Sequence, residues 1–132
     1  MKILVIEDDL VTRKVIQRTL EKMDDLDDIK VDVAEDGIIG FDKFKKALEN
    51  EAGYKIICLD IMMPQMNGQE VLHEIRKLEN EKSNEKPSKI IMMTALSDID
   101  NIKKAYSEEC DEYLVKPIKK EELKRVILKS ID

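Results

Sequence analysis

The residues of this 132-residue chain that could do chemistry each follow a short apolar run. Residues 7–9 read Glu-Asp-Asp, and Asp60, Thr94 and Lys116 follow three later runs. Carboxylates that meet repel each other and raise their own pKa values unless a cation lies among them. A hard divalent ion such as Mg²⁺ suits an all-oxygen set without Cys or His. With a lysine charge and a threonine hydroxyl nearby, the set predicts a site that stabilises a phosphoryl group, with a carboxylate available to attack phosphorus and form an acyl phosphate.

Apolar runs of strand length alternate with helical patterns along the chain, which is typical of βα units around a parallel sheet. The predicted strands cover residues 3–6, 31–33, 56–59, 90–93 and 113–115. The pattern therefore predicts an α/β fold with a five-stranded parallel sheet, doubly wound so that helices cover both faces in a three-layer sandwich. Since ligands bind outside the carboxyl ends of such strands, we expect the chemical residues at one edge of the sheet.

Each predicted helix carries an apolar stripe that would pack on the sheet. The stripes comprise Val11, Val15, Ile16, Leu20 and Met23; Ile38, Phe41, Phe44 and Leu48; Val71, Leu72, Ile75 and Leu78; Ile99, Ile102 and Tyr106; and Leu123, Val126, Ile127 and Ile131. Residues 79–89 are wholly polar and include Ser, Asn and Pro, so they predict a solvated loop after the third helix.

Histidine and methionine are predicted to have ordinary structural roles in this chain. The one histidine, His73, lies off the apolar stripe of the third helix and is predicted to point to water rather than to a metal. Five methionines are predicted to fill space near the sheet: Met62, Met63, Met66, Met92 and Met93.

Length, charge and cysteine content exclude several classes of function for this chain. The length fits one domain, and the formal net charge of −6 would repel phosphate backbones, so nucleic acid is a poor candidate partner. Cys58 and Cys110 lie far apart without a metal-binding spacing, which suits reduced thiols in the cytosol. The apolar run at residues 3–6 is too short for a signal sequence or a membrane span, and a cytoplasmic protein without membrane insertion is expected.

Five separated motifs give the chain a family resemblance. Asp60 to Gly68 read Asp-Ile-Met-Met-Pro-Gln-Met-Asn-Gly, and they accompany the early acidic residues, Thr94-Ala95 and the Tyr-Leu-Val-Lys-Pro of residues 113–117. Together these resemble the receiver domains of two-component response regulators over nearly the whole chain. The resemblance implies a flavodoxin-like fold. It also implies a single receiver domain over residues 1–132, expected to lack an output domain because the last helix ends at the C-terminus.

The resemblance also implies roles for the site residues. Asp60 would accept the phosphoryl group, while Glu7 and Asp8, directly or through water, and the backbone carbonyl of Met62 would hold Mg²⁺. Lys116 would pair with Asp60 and later with the phosphoryl oxygens, and a cis peptide would join it to Pro117.

A switch and its partners follow from the same resemblance. Thr94 would bond to the phosphoryl group, Tyr113 would turn inward behind it, and the surface of helix four, strand five and helix five would be remodelled. A sensor histidine kinase or a histidine phosphotransfer protein would be the phosphodonor, and an unidentified protein the target. The chain would be a monomer or weak dimer, and no enzyme beyond catalysing its own phosphorylation and dephosphorylation.

Two departures from the family pattern matter. Glu109-Cys110 stands where most receivers have Gly-Ala, which leaves the geometry at the exit of helix four open. Met62 and Leu96 occupy positions whose side chains in receivers help or hinder the water that attacks the phosphoryl group. Both are apolar and can neither orient nor activate water, so we expect slow autodephosphorylation.

The same residues are compatible with several alternatives. In the receiver interpretation, Asp9 is the N-cap of the first helix rather than a metal ligand. Alternatively, residues 7–9 could all serve only to cap that helix, Asp60 could be a turn residue and Lys116 a surface lysine. A degenerate receiver acting only as an interaction module would usually lack an acid or the lysine. A haloacid-dehalogenase-type phosphatase would carry a second Asp two residues after its nucleophile, where Met62 stands here. A flavodoxin-type cofactor binder would need a phosphate loop, which the acidic residues 7–9 would oppose.

The last two helices are rich in lysine and arginine. The preferred interpretation of this basic face is a solvated surface, and the second is a docking site for an acidic partner. The sequence does not show whether the chain signals by docking to a target protein or passes its phosphoryl group on to another protein. The residues of the basic face are Lys103, Lys104, Lys119, Lys120, Lys124, Arg125 and Lys129.

Overall fold

Strands and helices alternate along the chain in the computed structural model, which describes residues 1–63, 65–82, 86–107 and 109–131. A 3-10 turn at Leu96–Asp98 precedes the fourth helix. The elements are β1 (Lys2–Ile6), α1 (Leu10–Glu21), β2 (Lys30–Ala34), α2 (Gly37–Glu49), β3 (Ile56–Asp60), α3 (Gly68–Glu81), β4 (Lys89–Ala95), α4 (Ile99–Tyr106), β5 (Glu112–Lys116) and α5 (Lys120–Ile131).

The five strands form one parallel sheet in the order β2-β1-β3-β4-β5. This confirms the predicted fold class, and each strand contains its predicted core and extends it by one to three residues. The register aligns Asp60 with Met93 of β4, and Ala95 with Lys116 of β5. Since all strands run the same way, the ends of β1, β3, β4 and β5 meet at one edge of the sheet.

Alternate residues of the strands build two hydrophobic cores, one on each face of the sheet. Leu4 and Ile6 face the core that α2, α3 and α4 cover. Ile3 and Val5 face the core that α1 and α5 cover. The central strands are therefore buried on both sides, which explains their unbroken apolar sequence.

The predictions of the apolar stripes of α1 and α2 are partly wrong. The buried residues of α1 are Ile16, Thr19 and Leu20. Val11 is 70% exposed and Val15 is 36% exposed. Successive residues of an α-helix are rotated by about 100°, so both valines lie away from the face that packs on the sheet. Ile38, in the first turn of α2, is 52% exposed.

The predicted loop at residues 79–89 is also wrong at both ends, while residues 83–85 lie outside the described part of the chain. Helix α3 continues to Glu81, and Glu79 is only 4% exposed. The Glu79 carboxylate accepts hydrogen bonds from Arg76 Nη1 at 2.7 Å and from the Ser88 backbone N–H at 2.8 Å. A polar sequence is buried here because its charges are paired.

Arg76 extends this buried network to the exit of α4. Its Nε donates to the Glu109 carbonyl at 2.7 Å, and its Nη2 donates to Asp111 Oδ2 at 3.1 Å. The exit of α4 is held by hydrogen bonds from the N–H groups of Glu109 and Cys110 to the Tyr106 carbonyl.

Three smaller predictions have clear outcomes. The Lys116-Pro117 peptide is cis, and His73 is exposed, as predicted. Of the five methionines, Met63, Met92 and Met93 are buried and Met66 is partly buried, but Met62 is 72% exposed and fills no space. In the described part of the chain, no helix is long and apolar enough to cross a bilayer.

Candidate functional site

Three strand ends bring an ion-pair cluster together at the carboxyl edge of the sheet. Lys116, the last residue of β5, places its Nζ 2.9 Å from Glu7 Oε1 and 2.9 Å from Asp60 Oδ1. Glu7 is fully buried, Asp60 is 1% exposed, and Lys116 is partly buried. The structure therefore joins these three predicted residues, and it adds a Lys116–Glu7 contact that the sequence did not indicate.

Asp8 completes an acidic group around the same point. Glu7, Asp8 and Asp60 each offer a carboxylate oxygen, and these oxygens lie within 4.8 Å of one another. Asp60 Oδ2 is buried and has no hydrogen-bond partner among the described residues. Three carboxylates thus face one lysine, and one buried oxygen is left over. The donor set fits a hard divalent cation such as Mg²⁺.

Electrostatics in the cluster shift two pKa values. Burial, reinforced by the neighbouring Glu7, raises the pKa of Asp60 to about 7, although Lys116 opposes the shift. Burial by itself lowers the pKa of Lys116, but the hydrogen bonds to Asp60 and Glu7 more than offset this, and the pKa of Lys116 lies above its ordinary value. Lys116 therefore stays charged, whereas Asp60 needs further positive charge to stay ionised near neutral pH.

The turn from β1 into α1 fixes the acidic pair. Asp9 is the N-cap of α1, as predicted: its side chain accepts from the Thr12 backbone N–H at 2.9 Å. The Asp9 N–H in turn donates to Glu7 Oε2 at 3.1 Å. Arg13, which sequence reasoning missed, donates from Nη1 to the Glu7 carbonyl at 2.9 Å. Because this contact joins a side chain to a backbone carbonyl, no sequence motif indicated it.

The backbone of the loop after β3 lies close to Asp60. The Met62 N–H lies 3.4 Å from Asp60 Oδ1, so the Met62 backbone is at the site, while its carbonyl remains a predicted metal ligand. Gly68, which ends the sequence motif that starts at Asp60 but was given no role there, begins α3 so close to β3 that an added Cβ would lie 2.3 Å from the Asp60 carbonyl oxygen. This close approach requires glycine.

Thr94 and Tyr113 lie at different distances from the site along their strands. Thr94 follows Met93, the β4 partner of Asp60, and its Oγ1 is buried with no hydrogen-bond partner among the described residues. Tyr113 pairs with Met92, packs against the α2-α3-α4 core, and buries an equally unpartnered Oη. The structure thus places Thr94 beside the cluster and Tyr113 deeper behind it.

Exposed apolar side chains lie on the segments that lead from the strand ends. Val11 in the first turn of α1, Met62 after β3 and Leu96 after β4 are each at least 70% exposed, and Leu10 is 52% exposed. We call these four residues the apolar rim. Large apolar side chains grouped at one edge are typical of a surface that a partner covers.

Comparison with known proteins identifies chains with similar sequences. The response regulator receiver domain model matches residues 3–128. The chain is 36% identical over its full length to the regulatory protein VanRB of Enterococcus faecalis, covering 51% of that protein. It is 32% identical over 98% of its length to histidine protein kinase 1 of Candida albicans, covering 5% of that protein. The chain therefore spans about half, or much less, of these curated relatives.

Solved structures show the same fold. A response regulator receiver domain protein from Clostridium thermocellum aligns with a TM-score of 0.76 at 29% identity, over 98% of this chain and 93% of that one. The receiver domain of Ssk1 from Saccharomyces cerevisiae, crystallised with the histidine phosphotransfer protein Ypd1, aligns with a TM-score of 0.81 at 23% identity, over 98% and 87% of the two chains. These alignments confirm the flavodoxin-like sheet.

The raised pKa of Asp60 predicts a pH-dependent cost to stability. Between its ordinary value of 3.8 and about 7, the folded chain holds a proton that the unfolded chain releases, so stability falls as pH rises through this range. In the presence of chelator, Asp60→Asn should raise the free energy of unfolding at pH 8 by about 1–2 kcal/mol and have little effect near pH 4. Urea unfolding of both chains from pH 4 to 8 measures the difference.

The exposed Asp98, whose side chain caps nothing, provides the control. Asp98→Asn should change stability by less than about 0.5 kcal/mol at every pH. An Asp60→Asn chain no more stable than the native chain at pH 8 would contradict the prediction.

Proposed function

Because the chain belongs to the response regulator receiver domain family, we propose that Asp60 is its phosphoacceptor and that Mg²⁺ binds beside it. The family accepts phosphoryl groups from histidine kinases or phosphotransfer proteins. The observation that carries the assignment to Asp60 is its buried, unpartnered Oδ2 within an acidic group paired to one lysine.

The reaction needs a carboxylate as nucleophile. An Asp60 oxygen would form the new bond to phosphorus as the bond from phosphorus to the donor's histidine nitrogen breaks, and the electron pair of that bond stays with the imidazole. Mg²⁺, held by Glu7, Asp8, Asp60 and the Met62 carbonyl, would supply positive charge that keeps Asp60 ionised and offsets the phosphoryl charge.

Two neighbours of Asp60 would then contact the oxygens of its phosphoryl group. Lys116 already lies 2.9 Å from Asp60 and can pair with phosphoryl oxygens from the same position. The Thr94 hydroxyl is buried without a partner among the described residues, so it can donate a hydrogen bond to those oxygens once they arrive. This unsatisfied donor supports a switch in which Thr94 and Tyr113 respond to phosphorylation and alter the α4-β5-α5 surface. The lysines and Arg125 of the basic face are all exposed there, which suits a protein target with acidic groups.

The chain would act as a signalling switch and not as an enzyme with a separate substrate. Met62 stands two residues after Asp60, where a haloacid-dehalogenase-type phosphatase would carry its second acid, and the Met62 side chain points to solvent. A degenerate receiver that only binds proteins is the other candidate, and it would leave the acidic group without Mg²⁺.

Intact mass after incubation with acetyl phosphate tests the proposal. With Mg²⁺ the native chain should gain one phosphoryl group, and with EDTA it should gain none. Asp60→Ala should abolish the gain because the nucleophile is missing, whereas the exposed control Asp98→Ala should keep it. A native chain that gains no mass and binds no Mg²⁺ by calorimetry would be a degenerate receiver.

The apolar rim predicts where a protein phosphodonor docks. Val11→Ser should slow transfer from a phosphorylated histidine phosphotransfer protein or kinase domain by about fivefold or more, because a contact of about 1 kcal/mol or more is lost. The rate with acetyl phosphate should not change. Leu128→Ser, 38% exposed on α5, is the matched control and should affect neither rate. Equal slowing with both donors would contradict the docking role and show that Val11 affects the phosphorylation reaction itself.

Met62 and Leu96 predict a long phosphoryl lifetime. Both side chains are more than 70% exposed, so Met62→Asn with Leu96→Glu changes the access and polarity around the phosphoryl group without disturbing a core. The polar pair should orient the attacking water and shorten the lifetime by about tenfold or more. Loss of the added mass over time in both chains measures it, and an unchanged lifetime would show that these side chains do not control hydrolysis.

A further inference from the structure

A groove between α2, α3 and α4 has a composition that the phosphoacceptor site does not explain. Its cavity volume is about 540 Å³, and it is open to solvent along one side. Phe41 of α2, Tyr106 of α4 and Met66 form apolar parts of its lining. None of the residues proposed to bind Mg²⁺ or the phosphoryl group lines it, so we treat it as a separate surface and name it the acidic groove.

Three carboxylic acids line the groove. Glu70 and Glu74 extend from α3, and Glu109 follows α4. Among the residues that the structure describes, none of the three takes part in an ion pair, and no lysine or arginine lines the groove. Like charges that share one concave surface repel each other. A cation from outside would relieve this repulsion.

The rest of the lining favours a side chain with an apolar part. Phe41, Met66 and Tyr106 are partly buried and pack against the hydrophobic core, which holds them in place. Aromatic rings beside carboxylates bind guanidinium and ammonium groups well, because the ring faces attract the cation and the alkyl stem packs on the apolar surface. His73 adds a group that can hydrogen-bond to a peptide backbone.

We propose that the acidic groove docks a segment of a partner protein that carries an arginine or lysine next to an apolar side chain. Charge complementarity selects the basic residue, and the aromatic lining selects its apolar neighbour. The groove is open to solvent and so can admit a chain segment.

Selection from a random peptide library displayed on phage tests the proposal and does not require the partner to be identified first. The native chain serves as bait, and Glu74→Gln/Glu109→Gln serves as the counter-bait, since these two carboxylates make no structural hydrogen bond to the described residues. Peptides retained only by the native chain should share one arginine or lysine beside a leucine, methionine or aromatic residue. No enrichment over the counter-bait, or enrichment without a basic residue, would overturn the proposal.

Titration of a selected peptide into ¹⁵N-labelled protein then locates the site. Amide shifts should concentrate on residues 69–74, 106 and 109, and Glu74→Gln/Glu109→Gln should weaken affinity by about threefold or more. The control Glu21→Gln/Glu121→Gln, two exposed acids on α1 and α5, should leave affinity unchanged. Shifts elsewhere, equal binding of a peptide with glutamine in place of its basic residue, or saturation by free arginine amide at the same concentration would each overturn the proposal.

Discussion

Negative charge at the carboxyl edge of the sheet is the constraint on which the site depends. Glu7 and Asp60 are buried side by side, and the Lys116 Nζ lies 2.9 Å from each of them. One lysine does not neutralise three carboxylates, and Asp60 keeps a buried oxygen without a partner among the described residues. Further positive charge would balance these carboxylates and favour the ionised form of Asp60, whose pKa lies well above its ordinary value.

The backbone around the cluster explains how such a costly arrangement persists. The parallel register fixes the ends of β1, β3 and β5, Arg13 holds the Glu7 carbonyl, and Gly68 allows α3 to approach Asp60. The apolar rim, in contrast, consists of exposed side chains on α1 and the loops. The site thus combines a buried charged centre with exposed apolar side chains around it, a division typical of folds that position functional groups at strand ends.

A second buried polar network shows what a structural role looks like in the same molecule. Arg76 donates to Glu79, Asp111 and the Glu109 carbonyl, and both Glu79 oxygens have donors. Satisfied groups of this kind tie α3 to the start of β4 and the exit of α4. At the carboxyl edge of the sheet, Asp60 Oδ2 and Thr94 Oγ1 lack partners in the described part of the chain. The contrast in hydrogen bonding distinguishes groups that hold the fold together from groups with unused hydrogen-bonding capacity.

The amino-acid sequence by itself determined the five strands, their parallel arrangement and the set Glu7, Asp8, Asp60, Thr94 and Lys116, because apolar runs and the residues that end them are local features. Only the tertiary structure decided that Val11 faces solvent, that Glu79 is buried and that Lys116 also pairs with Glu7. A helical stripe shows that a face is apolar but not how the helix is rotated on the sheet. Likewise, the polarity of a residue does not show which distant group will pair with it. The rotation of a helix and the pairing of a charge both depend on contacts between elements that are far apart in the chain.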